Sequence, residues 1–204
     1  MEIRIHTQSG RVETFFQDQP ALAARTLKRM EATKVFATEI ITIAGEYSFT
    51  TFLASRINRV DLITDDPPPW KHREDIFDVV ELSEDEFRGQ SHLNDPGRME
   101  RRRSAKQAGE PAQVFVEAEM LGGTRVFLAA KIRVALPAER LQRLRTLFSA
   151  TSLDFRLPEG GAGVLNLQNL VRFTFHPGPD VTPMDAWLAH HRSSAPTPAI
   201  INLD

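Results

Sequence analysis

The sequence lacks cysteine altogether and has very little tyrosine among its 204 residues. Without cysteine the chain can form no disulfide, no thiolate nucleophile and no cysteine-based zinc or iron–sulfur site. Its aromatic residues are mostly phenylalanine, with 13 Phe against 1 Tyr. That balance favours packing in a core over the polar-tipped aromatic surfaces used in recognition. The composition therefore excludes several classes of redox and metal protein.

Long apolar runs and a strong net charge are also missing. No stretch is long and apolar enough to be expected to cross a bilayer. The segment from Met1 to His6 has no apolar core behind a basic end, so we do not expect a signal peptide there. The net charge of −2 argues against a general polyanion binder. We therefore expect a cytoplasmic protein that does not bind membranes.

Alternating apolar residues are the clearest pattern that is present. Residues 164–175 predict two strands separated by a one-turn break, because apolar and polar side chains alternate on either side of Gln168. Residues 52–63 repeat the pattern earlier in the chain. The matching apolar positions are Ile57 with Leu170, Val60 with Phe173, and Leu62 with Phe175.

The segments that precede these two stretches are also alike. Residues 1–17 and 114–134 each predict a β-hairpin, the second with its turn at Gly122 and Gly123. A helix is predicted after each hairpin, opening at Pro20 and at Pro137, since proline suits the first turn of a helix. The shared order predicts an internal repeat.

These patterns predict an α+β fold made of two similar units, each with a β-hairpin, a helix and three antiparallel strands. An irregular insert joins the units, and a helix ends the chain. The predicted boundaries are residues 1–64 for the first α+β unit, 65–112 for a proline-rich, acidic and basic connector, 113–178 for the second α+β unit, and 179–204 for the C-terminal helix and tail. Within the connector, Ser83 and Glu86 form a capping-box pattern that predicts a short helix.

No catalytic pattern stands out. His190 and His191 are adjacent on a predicted helix, so their rings point about a quarter-turn apart and do not suit one metal ion. The glycine-rich residues 160–163 precede a strand rather than a helix and lack the lysine of a phosphate-binding loop, so they predict a hairpin turn. The sequence therefore predicts no catalytic residue, no bound metal and no cofactor.

The connector contains two candidate binding segments. One is a basic cluster that could neutralise several phosphates, although no aromatic residue for base stacking lies near it. It consists of Arg98, Arg101, Arg102, Arg103 and Lys106. The other is an apolar segment of the kind that anchors a protein partner. It consists of Ile76, Phe77, Val79 and Val80.

These observations favour a non-enzymatic interaction or regulatory module whose partner is a protein, either a second copy of the chain or a different protein. Nucleic-acid binding through the basic cluster at residues 98–106 is the alternative. A second alternative is an enzyme whose active site is assembled only in the fold.

Overall fold

The computed structural model describes residues 1–45, 47–66, 70, 74–91, 108–176 and 187. Within these residues the chain is mostly β, with nine strands in one mixed sheet, a two-stranded ribbon and three helices. In chain order the elements are β1 (Glu2–Thr7), β2 (Val12–Phe16), α1 (Pro20–Arg29), β3 (Ile40–Ala44), β4 (Phe49–Leu53), β5 (Ile57–Ile63), β6 (Ile76–Leu82), α2 (Glu84–Ser91), β7 (Pro111–Met120), β8 (Arg125–Arg133), α3 (Pro137–Phe148), β9 (Ser152–Arg156), β10 (Ala162–Asn166) and β11 (Leu170–His176). Two short 3₁₀ turns, Ala54–Arg56 and Leu167–Asn169, precede β5 and β11.

One sheet runs through both halves of the chain. Its strand order is β11-β7-β8-β6-β9-β10-β5-β1-β2, and β3 and β4 form the separate ribbon. All neighbours in the sheet are antiparallel except β6 and β9. The predicted α+β fold of two units joined by an irregular insert is therefore wrong, since the described chain is mostly β.

The first reason is that the predicted insert supplies a strand. Strand β6 lies between β8 and β9, where it pairs with β8 along most of its length. Asp78 and Glu81 interrupt the apolar pattern of this segment, which made a strand hard to predict. In the fold both carboxylates form ion pairs, Asp78 with Arg156 and Glu81 with Arg59. Pairing of this kind offsets the cost of placing their charges within a sheet.

The second reason is that β10 of the second half pairs with β5 of the first. The register matches Ala162 with Leu62 and Val164 with Val60. Such long-range pairing leaves no local signal in the sequence, because periodicity shows that a segment is a strand and does not show which strand lies beside it.

Several local predictions are confirmed. The structure contains both hairpins, β1–β2 and β7–β8, and both helices that open at a proline, α1 and α3. The capping box is also present at the start of α2. The backbone N–H of Ser83 donates to Glu86 Oε2 at 2.9 Å, and the N–H of Glu86 donates to Ser83 Oγ at 3.2 Å. The predicted C-terminal helix lies outside the described residues.

The last elements of the two halves recur at one constant spacing. Strand β4, the first 3₁₀ turn and β5 recur as β10, the second 3₁₀ turn and β11, with 162 − 49 = 113 and 170 − 57 = 113. A hydrogen bond recurs as well. The N–H of Gln8 donates to the carbonyl of Arg56 at 3.0 Å, and that of Leu121 donates to the carbonyl of Asn169 at 2.8 Å.

Buried apolar side chains form three clusters on the two faces of the sheet. The first contains Val60, Leu62 and Leu27 of α1, and the second contains Phe155 and much of β7 and β8. The third surrounds Phe87 of α2. No helix in the described part of the chain combines the length and the apolar character needed to cross a membrane.

Candidate interaction site

The apolar segment predicted to bind a partner lies within β6. Val79 is only 2% exposed and belongs to the second core cluster, whereas Phe77 is 45% exposed. Ile76 and Val80 are partly buried. Successive side chains of a strand point to opposite faces of the sheet, and Val79 is buried, so these residues do not form one exposed surface. Among the four, Phe77 is the one exposed on the folded surface.

The basic cluster of Arg98, Arg101, Arg102, Arg103 and Lys106 lies outside the described residues.

A cluster of charged side chains links β1, β5 and β6. His6 Nε2 lies 2.7 Å from Asp61 Oδ2, and Arg59 Nε donates to Asp61 Oδ1 at 2.6 Å. Arg59 also holds Glu81 with both terminal nitrogens, one of them at 2.7 Å from Oε2. The guanidinium lies 5.0 Å from the ring centre of Phe155, within range of a cation–π interaction.

This charged cluster is largely buried, and Arg59 pairs with both of its carboxylates. Asp61 is 1% exposed. Burial alone would raise the pKa of the Asp61 carboxyl, but the hydrogen bond with His6 and the charge of Arg59 outweigh it and hold the pKa below its ordinary value of 3.8. Burial also opposes the charge on Arg59, yet Glu81 and Asp61 together raise the pKa of the guanidinium. Asp61 and Arg59 therefore both stay charged throughout the neutral range.

The cluster has two members of a hydrolytic triad, a histidine and a buried aspartate. A triad also needs a hydroxyl or thiol nucleophile on the histidine. Among the described residues, the hydrogen-bond partner of the His6 ring is the Asp61 carboxylate. No group of three or more potential metal ligands occurs among those residues either. The arrangement is therefore best explained as an ion-pair network that joins strands.

The stability of the protein is expected to fall at acid pH because of Asp61. Its pKa is lower in the folded chain than in the unfolded one, so its contribution is present above the ordinary value of 3.8 and is lost as the pH falls through the folded-state pKa. Urea unfolding in steps from pH 7 to pH 2 should show a declining free energy of unfolding below about pH 4. In Asp61→Asn this part of the decline should disappear. Parallel curves for the two proteins would contradict the assignment.

Three asparagines join the two halves near the 3₁₀ turns. Asn166 donates to the carbonyls of Ala54 and Ile57 at 3.1 and 2.9 Å. Asn169 donates to the carbonyl of Ile57 at 2.8 Å, and Asn58 donates to that of Leu121 at 2.6 Å. All three asparagines are buried, so these bonds supply their side-chain amide groups with the partners that buried polar groups require.

Strand β11 is exposed at positions where β5, the corresponding strand of the first half, is covered. The side chain of Arg59 in β5 is 12% exposed, whereas that of Arg172, 113 residues later in β11, is 50% exposed. Asn58 is buried, but its counterpart Val171 is exposed. In the part of the chain that the structure describes, β5 has strands on both sides and β11 has β7 on one side only.

Strand β4 is likewise exposed where β10 is covered. Every residue of β10 is buried, while alternate residues of β4 are exposed. Phe49 and Leu53 of β4 are 75% and 57% exposed, and their counterparts Ala162 and Asn166 are buried. Large apolar side chains on an exposed strand favour pairing with another chain.

A small pocket opens beside the start of β11. Apolar residues from α3, the second 3₁₀ turn and β11 line it, namely Leu147, Phe148, Leu167, Leu170 and Phe173. The outer edges of β4 and β11, together with this pocket, form the candidate interaction site. Comparison of the chain with protein-family models, curated proteins and solved structures finds no match.

Sequence reasoning missed this site because it placed the apolar anchors in the connector. A usable signal was present in the difference between the two halves. Phe49 and Leu53 stand where the second half has Ala162 and Asn166. Larger apolar residues at positions that are small or polar in the corresponding strand indicate that β4 and β10 meet different surroundings.

Proposed function

We propose that this chain is a non-enzymatic protein-interaction module that binds its partner by strand addition at the edges of its sheets. In this mode an added strand gains main-chain hydrogen bonds, and pockets for alternate side chains supply specificity. The observation that carries the proposal is the exposure of β4 and β11, whose counterparts β10 and β5 are covered by strand pairing.

The buried charges support an interaction role over a catalytic one. His6, Arg59, Asp61 and Glu81 satisfy one another within the sheet. Their pairing joins β1, β5 and β6, which stiffens the sheet whose edge strand is β11. A rigid edge loses little conformational entropy when a partner strand binds to it.

Site-specific photo-cross-linking in cells tests the proposed function. A photoreactive phenylalanine analogue at Phe49 or at Val171 should cross-link to a defined protein, because both positions lie on the proposed edges. The same analogue at Leu22, an exposed apolar position on α1, serves as the control. The cross-linked protein is identified by mass spectrometry and then tested for binding as a purified protein.

The expected result is a product at Phe49 and Val171 that is absent at Leu22 and is reproduced with the purified partner. No product at either edge position, or the same product at all three positions, would refute strand addition at these edges.

A further inference from the structure

We infer that the partner is a second copy of this chain, with β4 of one copy pairing with β11 of the next in the register that β10 and β5 have within one copy. This inference rests on the proposed function and adds the identity and register of the partner.

The pairing within one chain supplies the template. Strand β10 pairs antiparallel with β5, matching Gly163 with Asp61 and Val164 with Val60. Moving each strand by the spacing of 113 residues replaces β10 with β4 and β5 with β11. The expected contacts between copies are therefore Phe49 with Phe175, Thr50 with Thr174, Thr51 with Phe173, and Phe52 with Arg172.

Burial along the four strands agrees with this correspondence. Within the first core cluster, Val164 of β10 completes the packing around Val60 and Leu62, all three of which are fully buried. In the second half the counterparts of Val60 and Leu62 are Phe173 and Phe175, and these are only partly buried. The counterpart of Val164 is Thr51, which is exposed in a single chain. A second copy would place Thr51 against Phe173.

The pocket beside β11 fits the same arrangement. Asn166 of β10 binds at the first 3₁₀ turn, where its amide reaches the carbonyls of Ala54 and Ile57. The counterpart of Asn166 is Leu53. The corresponding place on the second half is the apolar pocket, which Leu167 and Leu170 help to line. An apolar side chain therefore meets an apolar pocket, whereas in the chain itself an amide meets carbonyl groups.

The two edges are different surfaces, so each contact joins β4 of one copy to β11 of another. Two copies can make this contact twice around a two-fold axis, and any other rotation between neighbours gives a larger closed ring or an open filament. We therefore expect a purified sample to contain dimers or larger species at high concentration.

Cysteine cross-linking tests the register directly, because the chain contains no native cysteine. Paired residues of antiparallel strands have Cα atoms about 4.5–5.5 Å apart, within the range that a disulfide spans. Purified Thr50→Cys and Thr174→Cys proteins, mixed and mildly oxidised, should form a dimer that contains one copy of each. Neither variant alone should dimerise to the same extent, since the contact joins unlike edges.

Thr42→Cys is the matched control for Thr50→Cys. Thr42 lies in β3 and pairs with Thr51 of β4, so it belongs to the same ribbon but lies one strand further from the proposed contact. Thr42→Cys mixed with Thr174→Cys should give little product. Equal yields for the two mixtures, or dimers from each variant alone, would overturn the proposed register.

Leu53→Lys gives an independent test by light scattering. A charge in the apolar pocket should weaken association about tenfold or more, a change of at least 1.4 kcal/mol. Phe16→Lys is the control, because Phe16 is an exposed residue of β2, at the opposite end of the sheet order from β11. The inference is overturned if Leu53→Lys and wild type associate equally or if wild type stays a single chain at all concentrations.

The experiments distinguish a failure of the second-copy partner from a failure of the proposed function. Cross-linking at Phe49 to a different protein, with no self-association of the purified chain, would overturn the second-copy partner and leave strand addition supported. No cross-linked protein at either edge would refute both.

Discussion

Replacing Asp61 by Ala should lower the free energy of unfolding by about 3–5 kcal/mol, the usual result of breaking a buried ion pair from one side. The carboxylate is buried against His6 and Arg59. Its removal leaves the Arg59 guanidinium in the sheet with Glu81 as its remaining acidic partner and withdraws the hydrogen bond of the His6 ring. Urea unfolding at pH 7 measures the change, with the helical signal followed by circular dichroism.

Glu31→Ala is the matched control for Asp61→Ala. Glu31 Oε2 lies 2.7 Å from Lys34 Nζ, the same separation as between Asp61 and His6. In this pair, however, both side chains are exposed. An exposed ion pair of this kind contributes about 0–1 kcal/mol. If the two substitutions cost the same, burial does not explain the importance of the charged cluster.

Gly122→Ala should lower the free energy of unfolding by more than about 4 kcal/mol, an exceptional loss for one substitution. We expect it to be at least as damaging as Asp61→Ala. Gly122 has a φ of 84°, a left-handed conformation that favours glycine. A β-carbon at this position would lie 1.8 Å from the carbonyl oxygen of Gln8. Because that oxygen belongs to the backbone of the β1–β2 turn, the two hairpin turns would have to separate.

A substitution at the adjacent glycine separates the two causes of instability, which are the backbone strain and the close approach to Gln8. Gly123 has nearly the same φ, 83°, but a β-carbon there would meet no atom within 4 Å. Gly123→Ala should therefore cost only the backbone strain of about 1–2 kcal/mol. The denaturant midpoints of the two variants test this difference. Similar midpoints would show that the close approach to Gln8 does not matter.

The parts of the fold that depend on local chemistry could be predicted from the sequence. The capping box at Ser83 and Glu86 and the helices that open at Pro20 and Pro137 follow from backbone rules that act within a few residues. The hairpin turn at Gly160 and Gly161 is of the same kind, and both glycines have positive φ in the structure.

The parts that depend on distant pairing could not be predicted. In β5 the alternation of Arg59 and Asp61 with Val60 and Leu62 predicted one polar face and one apolar face, yet β10 pairs with the strand and Asp61 is buried. The close approach of Phe155 to Asp61 likewise depends on Gly163, which lies far from Asp61 along the chain. Gly163 makes room for both, since a β-carbon there would lie 2.3 Å from the Phe155 ring and 2.8 Å from Asp61 Oδ1.

The pairing of β5 with β10 also sets the order of events during synthesis. Leu62 leaves the ribosome long before Ala162, its partner in the sheet, and the hundred or so residues between them take roughly 5–20 s to add at ordinary elongation rates. Throughout that interval the nascent first half has an uncovered apolar edge. Strand β6 is made before both of its neighbours, β8 and β9. The N-terminal half therefore remains open to chaperones, and to misfolding, until β10 has been synthesised.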